Sequence, residues 1–237
     1  MEVKLWKKPK NPTIIEGFPG FGLVGTIATE FLIDHLDVEL IGKVIMNESA
    51  AVVAIHQDHI VEPIGIFYNK KYNLVIVHAV SASTGIEWKL ADIIQKLFKD
   101  LNAKQIISLE GVGSAATKPN TERVFYFSKD AKAKKALAKI GLNPLKEGII
   151  MGVTGALLLK DEKMPLSCVF AETHTDLPDS KAAARIIKVL DDYLGLKVKV
   201  EPLLKQAEKF EGKLKGLLEK GQQAQAMAEV KKPNYFG

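Results

Sequence analysis

The sequence predicts an α/β protein in which helices cover both faces of a largely parallel sheet, a three-layer α/β/α sandwich. Apolar segments of strand length alternate along the chain with segments whose apolar residues recur every three to four positions. Leu74–Val80 is an almost continuous apolar run, the pattern of a strand that is covered on both faces. A chain of 237 residues is also long enough to bury such a core without disulfide or metal cross-links.

Short apolar segments bounded by turn residues predict the strands of this sheet. The segment Ile149–Leu159, which opens with glycines and then turns apolar, is expected to be strand-like as well. The other predicted strands are Thr13–Gly17, Leu40–Ile45, Val52–Ile55, Ile64–Phe67, Leu74–Val80, Gln105–Leu109, Val124–Ser128 and Leu166–Ala171.

Four segments predict helices: Leu23–Leu36, Glu87–Leu101, Asp130–Ile140 and Ser180–Leu194. Glu87–Leu101 has a clean apolar stripe, and the lysine-rich Asp130–Ile140 is expected to lie on the surface and to end at Gly141. For the fourth helix, Asp179 or Ser180 is the expected N-cap and Gly195 the expected stop, because these residue types satisfy the free backbone groups at helix ends.

The character of the chain changes after Gly195, which predicts three parts: an α/β domain over 1–197, an amphipathic helix over 198–229 and a flexible tail over 230–237. Apolar or small residues in the second part recur at alternating steps of four and three, a heptad seam. Because such a stripe is too apolar to stay in water, we expect it to mediate assembly. The residues expected at this contact are Leu203, Phe210, Leu214 and Leu217.

Composition argues against several classes of function. The net charge is +5, but the lysines are interleaved with acids and arginine occurs only as Arg123 and Arg185, so we expect no nucleic-acid binding. No stretch approaches the roughly 18–20 apolar residues of a membrane span, and Met1-Glu2-Val3-Lys4 does not begin a signal peptide. With a single cysteine, Cys168, expected to be buried and inert, the protein is expected to be cytoplasmic.

The segment Gly17–Gly25 is the sharpest local motif, since Gly20, Gly22 and Gly25 fit the G-x-G-x-x-G spacing between a predicted strand and a predicted helix. In dinucleotide-binding proteins such a turn presents backbone amides to a pyrophosphate, and Glu48 could then bind the ribose. Glycines equally permit a tight turn and close helix packing without any ligand. Both alternatives remain open on the sequence.

Two further glycine segments, Glu110–Gly113 and Gly148–Gly155, follow or punctuate predicted strands. Together with the first turn they suggest a crevice along the carboxyl edge of the sheet, although tight turns by themselves need glycine.

Two clusters could carry chemistry, but each has a simpler structural explanation. Glu172-Thr173-His174-Thr175-Asp176 combines a histidine with two carboxylates after a strand, yet loop capping explains it better. His56 and His59, with Glu62, could suggest a metal site, but on one extended strand the two histidines would point to opposite faces. We therefore expect no catalytic residues, no metal and no cofactor.

Several blocks, taken in order, resemble one known family. They are Thr13–Gly25, Glu110-Gly111-Val112-Gly113, the Gly148–Gly155 turn and Asp176–Ala184. The chain resembles the proteasome-assembly-chaperone family, in its archaeal branch, over about residues 10–195. The resemblance implies a fold similar to the phosphorylase and peptidyl-tRNA-hydrolase architecture, closed homo-oligomers larger than dimers, and a non-catalytic role in ordering proteasome α-subunits into rings.

Family members that bind the proteasome often end in a hydrophobic residue, tyrosine and any residue. This chain ends in Tyr235, Phe236 and Gly237, which keeps the aromatic character but lacks the penultimate tyrosine. The resemblance thus implies that these three residues are the candidates for binding α-subunits. The alternative function is that of an α/β protein, either an enzyme or a binding protein, that binds a nucleotide or small ligand with the turn at 17–25.

Overall fold

The computed structural model describes residues 1–47, 53–56, 58–81, 85–113, 123–160, 164–173, 178–202, 204, 216, 219 and 220. Nine strands of this part form one sheet and two more form a separate hairpin. The strands are β1 Glu2–Leu5, β2 Thr13–Gly17, β3 Val38–Ile45, β4 Ala54–His56, β5 His59–Val61, β6 Ile64–Asn69, β7 Leu74–Ala79, β8 Gln105–Gly113, β9 Val124–Ser128, β10 Asn143–Pro144 and β11 Leu166–Thr173. The helices are α1 Val24–His35, α2 Glu87–Asp100, α3 Ala131–Lys139, α4 Gly152–Lys160 and α5 Ser180–Leu194.

The sheet has the order β1-β3-β6-β7-β2-β8-β11-β9-β10. Its centre is parallel, because β2 pairs in parallel with β7 and β8, and β8 with β11. The pairs β1–β3, β3–β6, β6–β7 and β9–β11 are antiparallel. At one edge, β9 pairs in parallel with β10. The sheet is thus mixed and not largely parallel as predicted. The short connection between β6 and β7 has no crossover helix, so it can join only antiparallel neighbours.

Helices cover both faces of the sheet, which confirms the three-layer architecture. Ile14 and Ile15, adjacent on β2, point into different cores, as the two-residue period of a strand requires. The core that contains Ile14 is closed by α2 and α4, and the core that contains Ile15 is closed by α1 and α5. Every residue of β2, β7 and β11 is buried, as expected for central strands between two helical layers.

Most of the predicted elements are confirmed, and several agree in both bounds. β2, β9 and α5 agree to the residue. The Asp179 carboxylate caps α5 by accepting a hydrogen bond from the backbone N–H of Ala182 (2.9 Å), and Gly195 ends the helix in the left-handed conformation, with φ of 67°. Both caps could be predicted from neighbouring residues in the sequence, because a cap satisfies backbone groups within one turn of the helix.

One element was predicted with the wrong type. The expected strand-like run Ile149–Leu159 is largely the helix α4, in which Leu157 is buried while Leu159 is 74% exposed. A short apolar run does not distinguish a buried strand from a helix that buries one face, so its periodicity was not decisive. Cys168 is free and buried in β11, as expected.

The predicted helix over 198–229 lies mostly outside the described residues. Within it, residues 201, 202, 204, 216, 219 and 220 are helical. None of the helices in the described part of the chain is long and apolar enough to cross a membrane.

Candidate functional site

The glycine-rich segment forms a tight connection from β2 to α1. A single 3-10 turn spans Phe21–Leu23, in which the backbone N–H of Leu23 donates to the carbonyl oxygen of Gly20 at 3.0 Å. Gly22 and Leu23 both have positive φ, at 62° and 49°, and α1 begins at Val24. A left-handed backbone at two successive residues reverses the chain sharply, and glycine at the first lowers the cost of that reversal.

Each glycine of the G-x-G-x-x-G pattern has a packing reason in the described structure. A Cβ on Gly25 would lie 2.3 Å from the carbonyl oxygen of Leu109, so α1 could not approach β8 as closely. A Cβ on Gly22 would lie 2.8 Å from the hydroxyl oxygen of Thr173, and one on Gly20 would overlap the carboxyl group of Glu110. The pattern is therefore explained by close approach of backbone and side chains, with no ligand needed.

The geometry of the turn also bears on the dinucleotide alternative. The backbone N–H of Asp179 donates to the carbonyl oxygen of Gly22 at 2.8 Å, and the Thr173 hydroxyl donates to the Asp179 carboxylate at 2.9 Å. The acidic residue Asp179 thus lies beside the turn, at the place where a dinucleotide-binding protein would bind the pyrophosphate. Glu48, the expected ribose-binding acid, lies outside the described residues.

The predicted crevice at the carboxyl edge of the sheet is confirmed. A cavity of about 300 Å³ lies between the glycine turn, the end of β8 and the segment that leads into α4. It brings together all three glycine segments that the sequence singled out. Its lining includes Phe18, Gly20, Phe21, Glu110, Ile149 and Met151. A wider groove of about 960 Å³ shares Phe21, Ile149 and Met151 with it and continues past Arg123 and Phe125.

Two carboxyl groups lie at and below the crevice. Glu16, on β2, is 0% exposed and is the register partner of Ser108 on β8. Glu110 follows Ser108 by two residues on β8, so it lies on the same face of the sheet. Burial raises the pKa of Glu16 to about 7. Burial, and to a lesser extent the charge of Glu16, raises the pKa of Glu110 to about 8, although part of this residue reaches the crevice. Both groups therefore retain protons near neutral pH.

Two hydroxyls lie between the two acids. The Thr154 hydroxyl, on the first turn of α4, donates to the Glu110 carboxyl at 3.0 Å and is 2.7 Å from the Ser108 hydroxyl. Ser108 in turn offsets part of the rise in the pKa of Glu16. The Cys168 thiol neighbours both acids, and burial together with their charges raises its pKa well above the usual range. The cluster can hold protons, and its hydrogen bonds join β8 to α4.

Glu16 and Glu110 were not among the predicted site residues, although both occur in blocks that resemble the family. One signal could have found them: each is an acid inside an apolar strand, where an ionised carboxylate is costly. Their meeting was not visible, because it depends on β2 and β8 being neighbours in the sheet.

The expected cluster around Glu172 is divided between described and undescribed residues. The Glu172 carboxylate is 4% exposed and accepts two hydrogen bonds from Arg123, at 2.8 and 2.7 Å. Arg185 donates to the carbonyl oxygen of Glu172 at 3.0 Å. Glu172 thus belongs to a structural ion pair, whereas His174, Thr175 and Asp176 lie outside the described residues.

His56 and His59 do not lie on one extended strand, as was assumed in predicting no metal site there. They are register partners across the β4–β5 hairpin. The third candidate, Glu62, forms an ion pair with Lys43 at 2.8 Å. Among the described residues there is no group of three or more potential metal ligands.

The residues expected to mediate assembly and partner binding lie outside the described residues. They are Leu203, Phe210, Leu214 and Leu217 in the predicted helix, and Tyr235, Phe236 and Gly237 in the tail.

Two exposed apolar surfaces do appear in the described part. One surrounds α4 and the crevice, where Ile149 is 85% exposed and Met151 60%, and the other is the β4–β5 hairpin with Ile55 and Ile60. Exposed apolar side chains grouped in this way are typical of surfaces that bind other proteins.

Comparison with known proteins connects this architecture to one family. The model of the PAC2 family matches residues 14–218, which include the glycine turn, both acids, the crevice segments and most of the predicted helix. The chain belongs to the PAC2 family. The match covers the α/β domain from Ile14 of β2 onward, so it does not rest on a single motif.

Individual relatives agree with this assignment. The chain is similar to Pyrococcus furiosus PbaA, an archaeal homolog of proteasome-assembly chaperone, with 33% sequence identity. The similarity covers 94% of this chain and 99% of PbaA, with a TM-score of 0.82. An uncharacterized protein of Methanocaldococcus jannaschii is 29% identical over 96% of this chain and 94% of its own length. Pyrococcus furiosus PbaB, an archaeal proteasome activator, shares the fold at 20% identity, with 91% of this chain and 98% of PbaB covered and a TM-score of 0.74.

Proposed function

We propose that this protein is a non-catalytic, homo-oligomeric proteasome assembly chaperone or proteasome-binding scaffold. The observation that carries the proposal is the 33% identity with PbaA, which extends over 94% of this chain. PbaA is an archaeal homolog of proteasome-assembly chaperone. A relationship that spans the whole domain supports a shared type of partner better than a shared fold alone would.

The described surface supports a binding role. Ile149 and Met151 stand exposed beside the groove, and Ile55 and Ile60 stand exposed on the hairpin. Such side chains gain most when a second protein covers them, because apolar burial is the main favourable term in protein association.

The buried polar cluster supports a non-catalytic role. The hydroxyls beside the two acids belong to Ser108 and Thr154, which are 0% and 1% exposed, and the Cys168 thiol is 0% exposed. A nucleophile has to reach its substrate, and burial with a raised pKa keeps the Cys168 thiol protonated and unreactive.

We propose that the tail contributes to docking on proteasome α-subunits. Tyr235 and Phe236 are adjacent aromatics that suit insertion between subunits, and several tails on one oligomer would act together. Deleting Tyr235–Gly237 should weaken binding to purified α-subunits at least tenfold and leave the size of the oligomer unchanged. Surface plasmon resonance with immobilised α-subunits, combined with light scattering, measures both quantities.

The matched control is Asn234→Ala, which alters the same segment but keeps both aromatics and the length of the chain. Its affinity should equal that of the intact protein. Unchanged affinity of the truncated protein would move the binding site to the α/β domain, and failure of the intact protein to bind α-subunits at all would refute the proposed function.

A further inference from the structure

The crevice combines apolar walls with a single ionisable group. Among the described residues that line it, Glu110 is the one with an ionisable side chain, and most of the others are apolar. The cavity of about 300 Å³ is at the lower end of the size range of small-ligand pockets. A site of this kind distinguishes ligands by the charge that each ligand places next to the Glu110 carboxyl group.

A second acid lies behind the first without a hydrogen-bond partner. Both carboxyl oxygens of Glu16 are fully buried and have no hydrogen-bond partner within the described part of the chain. Glu16 is on the same face of the sheet as Glu110, and its charge acts on Glu110 directly. When Glu16 ionises, its charge adds to that of Glu110, so this end of the sheet favours a positive group over an anion.

The groups around Glu110 do not supply that positive charge. From β11 it is faced by its register partner Phe170 and by the Cys168 thiol, and from α4 by the Thr154 hydroxyl. The charge of Lys129 acts on the Cys168 thiol but is not among the causes of the raised pKa of Glu110. The basic residue of α4, Lys160, is at the opposite end of the helix and pairs with Asp92 of α2. Glu16 on β2 is the charged group that acts on Glu110, and it has the same sign.

We propose that the crevice is a binding site for a small organic amine, whose ammonium group contacts the Glu110 carboxylate while its alkyl stem packs along Phe18 and Ile150. Once the two acids are ionised, an anionic ligand such as a nucleotide would meet Glu110, and behind it Glu16, as like charges. A neutral ligand would gain from the apolar walls but not from the carboxylate. The amine satisfies both features. The crevice shares Ile149 and Met151 with the surface of the proposed chaperone function, but the proposal rests on Glu110 and not on those two side chains.

The proposal predicts a specific dependence on pH. Glu110 has to lose its proton to receive the ammonium group, and burial holds its pKa at about 8. An alkyl ammonium group, like that of lysine, stays charged to about pH 10. Affinity for the amine should therefore rise as the pH increases from 6 to 9, and binding below pH 8 should release a proton.

Isothermal titration calorimetry on the full-length protein tests this with three probes of equal length, 1-aminohexane, 1-hexanol and hexanoate. At pH 9 we expect the amine to bind at least tenfold more tightly than the alcohol, with hexanoate weakest, and the difference to shrink towards pH 6. Repeating the titration in buffers of different ionisation enthalpy counts the protons released. Equal affinity for amine and alcohol at pH 9, or tightest binding of hexanoate, would overturn the proposal.

Glu110→Gln keeps the size of the side chain and its acceptor for Thr154 but removes the charge. This variant should lose at least tenfold of its affinity for the amine at pH 9, keep its affinity for the alcohol and lose the dependence on pH. The matched control is Glu147→Gln, which removes an exposed carboxylate from the neighbouring groove and should bind all three probes as the intact protein does. An unchanged preference for the amine in Glu110→Gln would place the site elsewhere, whatever the outcome of the α-subunit experiment.

Discussion

At the scale of single residues, the unusual feature is an acid at the centre of an apolar sheet. Glu16 is fully buried in β2, between strands that supply mostly apolar neighbours. A carboxyl group in this position is stable only when it is protonated or compensated, and its pKa of about 7 expresses that preference. The residue therefore links the stability of the fold to pH.

The sign of this linkage follows from the direction of the shift. The folded-state pKa of Glu16 is raised from 4.5 to about 7, so between these values the folded state holds a proton that the unfolded state has lost. Stability should fall as the pH rises through this window, and Glu110, whose pKa is raised to about 8, should extend the fall to about that pH. Glu16→Gln should remove this part of the fall, on the order of 3 kcal/mol between pH 4.5 and 7.

Urea unfolding at several values between pH 4.5 and pH 8, comparing the free energy of unfolding of the variant with that of the intact protein, measures this difference. Glu147→Gln removes an exposed carboxylate, and its free energy of unfolding should change with pH in the same way as that of the intact protein. If the free energy of unfolding of Glu16→Gln also changes with pH in that way, Glu16 does not hold a proton in the folded state.

At the scale of elements, the contact between α1 and the central strands depends on glycine. A Cβ on Gly17 would lie 2.2 Å from the carbonyl oxygen of Gly25, and one on Gly25 would lie 2.3 Å from the carbonyl oxygen of Leu109. Backbone atoms on both sides leave no flexible side chain to move aside. The helix thus packs on β2 and β8 at a distance that only glycine permits.

Gly25→Ala should destabilise the fold by about 2 kcal/mol or more, because overpacking outweighs the gain of up to about 1 kcal/mol that alanine brings inside a helix. Guanidinium unfolding followed by circular dichroism measures the change. The matched control is Gly113→Ala, at a position where a Cβ would meet nothing within 4 Å, and it should change stability by less than about 0.5 kcal/mol. Equal stability of the two variants would mean that α1 can shift away from β8 without cost.

At the scale of the whole molecule, assembly is the main prediction that rests on the sequence. Leu203, Phe210, Leu214 and Leu217 form one apolar stripe in the predicted helix, and they lie outside the described residues. If the stripe joins copies of the chain, Leu214→Asp places an unpaired carboxylate in each contact, at a cost of several kcal/mol. Light scattering should then show smaller species than the oligomer that we expect of the intact protein.

Gly212→Asp is the matched control, since it adds the same charge two residues away on the opposite side of the heptad. Its oligomer should have the size of the intact one. A monomeric intact protein at micromolar concentration would contradict the assembly prediction outright.

The sequence by itself determined the α/β class, most of the element bounds, the caps of α5 and the existence of the crevice. These depend on periodicity, on capping residues and on glycines at strand ends, which are signals contained within a few neighbouring residues. The tertiary structure alone decided the mixed strand order, the helical nature of α4 and the pairing of His56 with His59. It also decided that Glu16 and Glu110 share one buried face, because residues far apart in the chain meet only through the pairing of β2 with β8. Local signals specify what each segment becomes, whereas contacts between distant segments decide which side chains form a site.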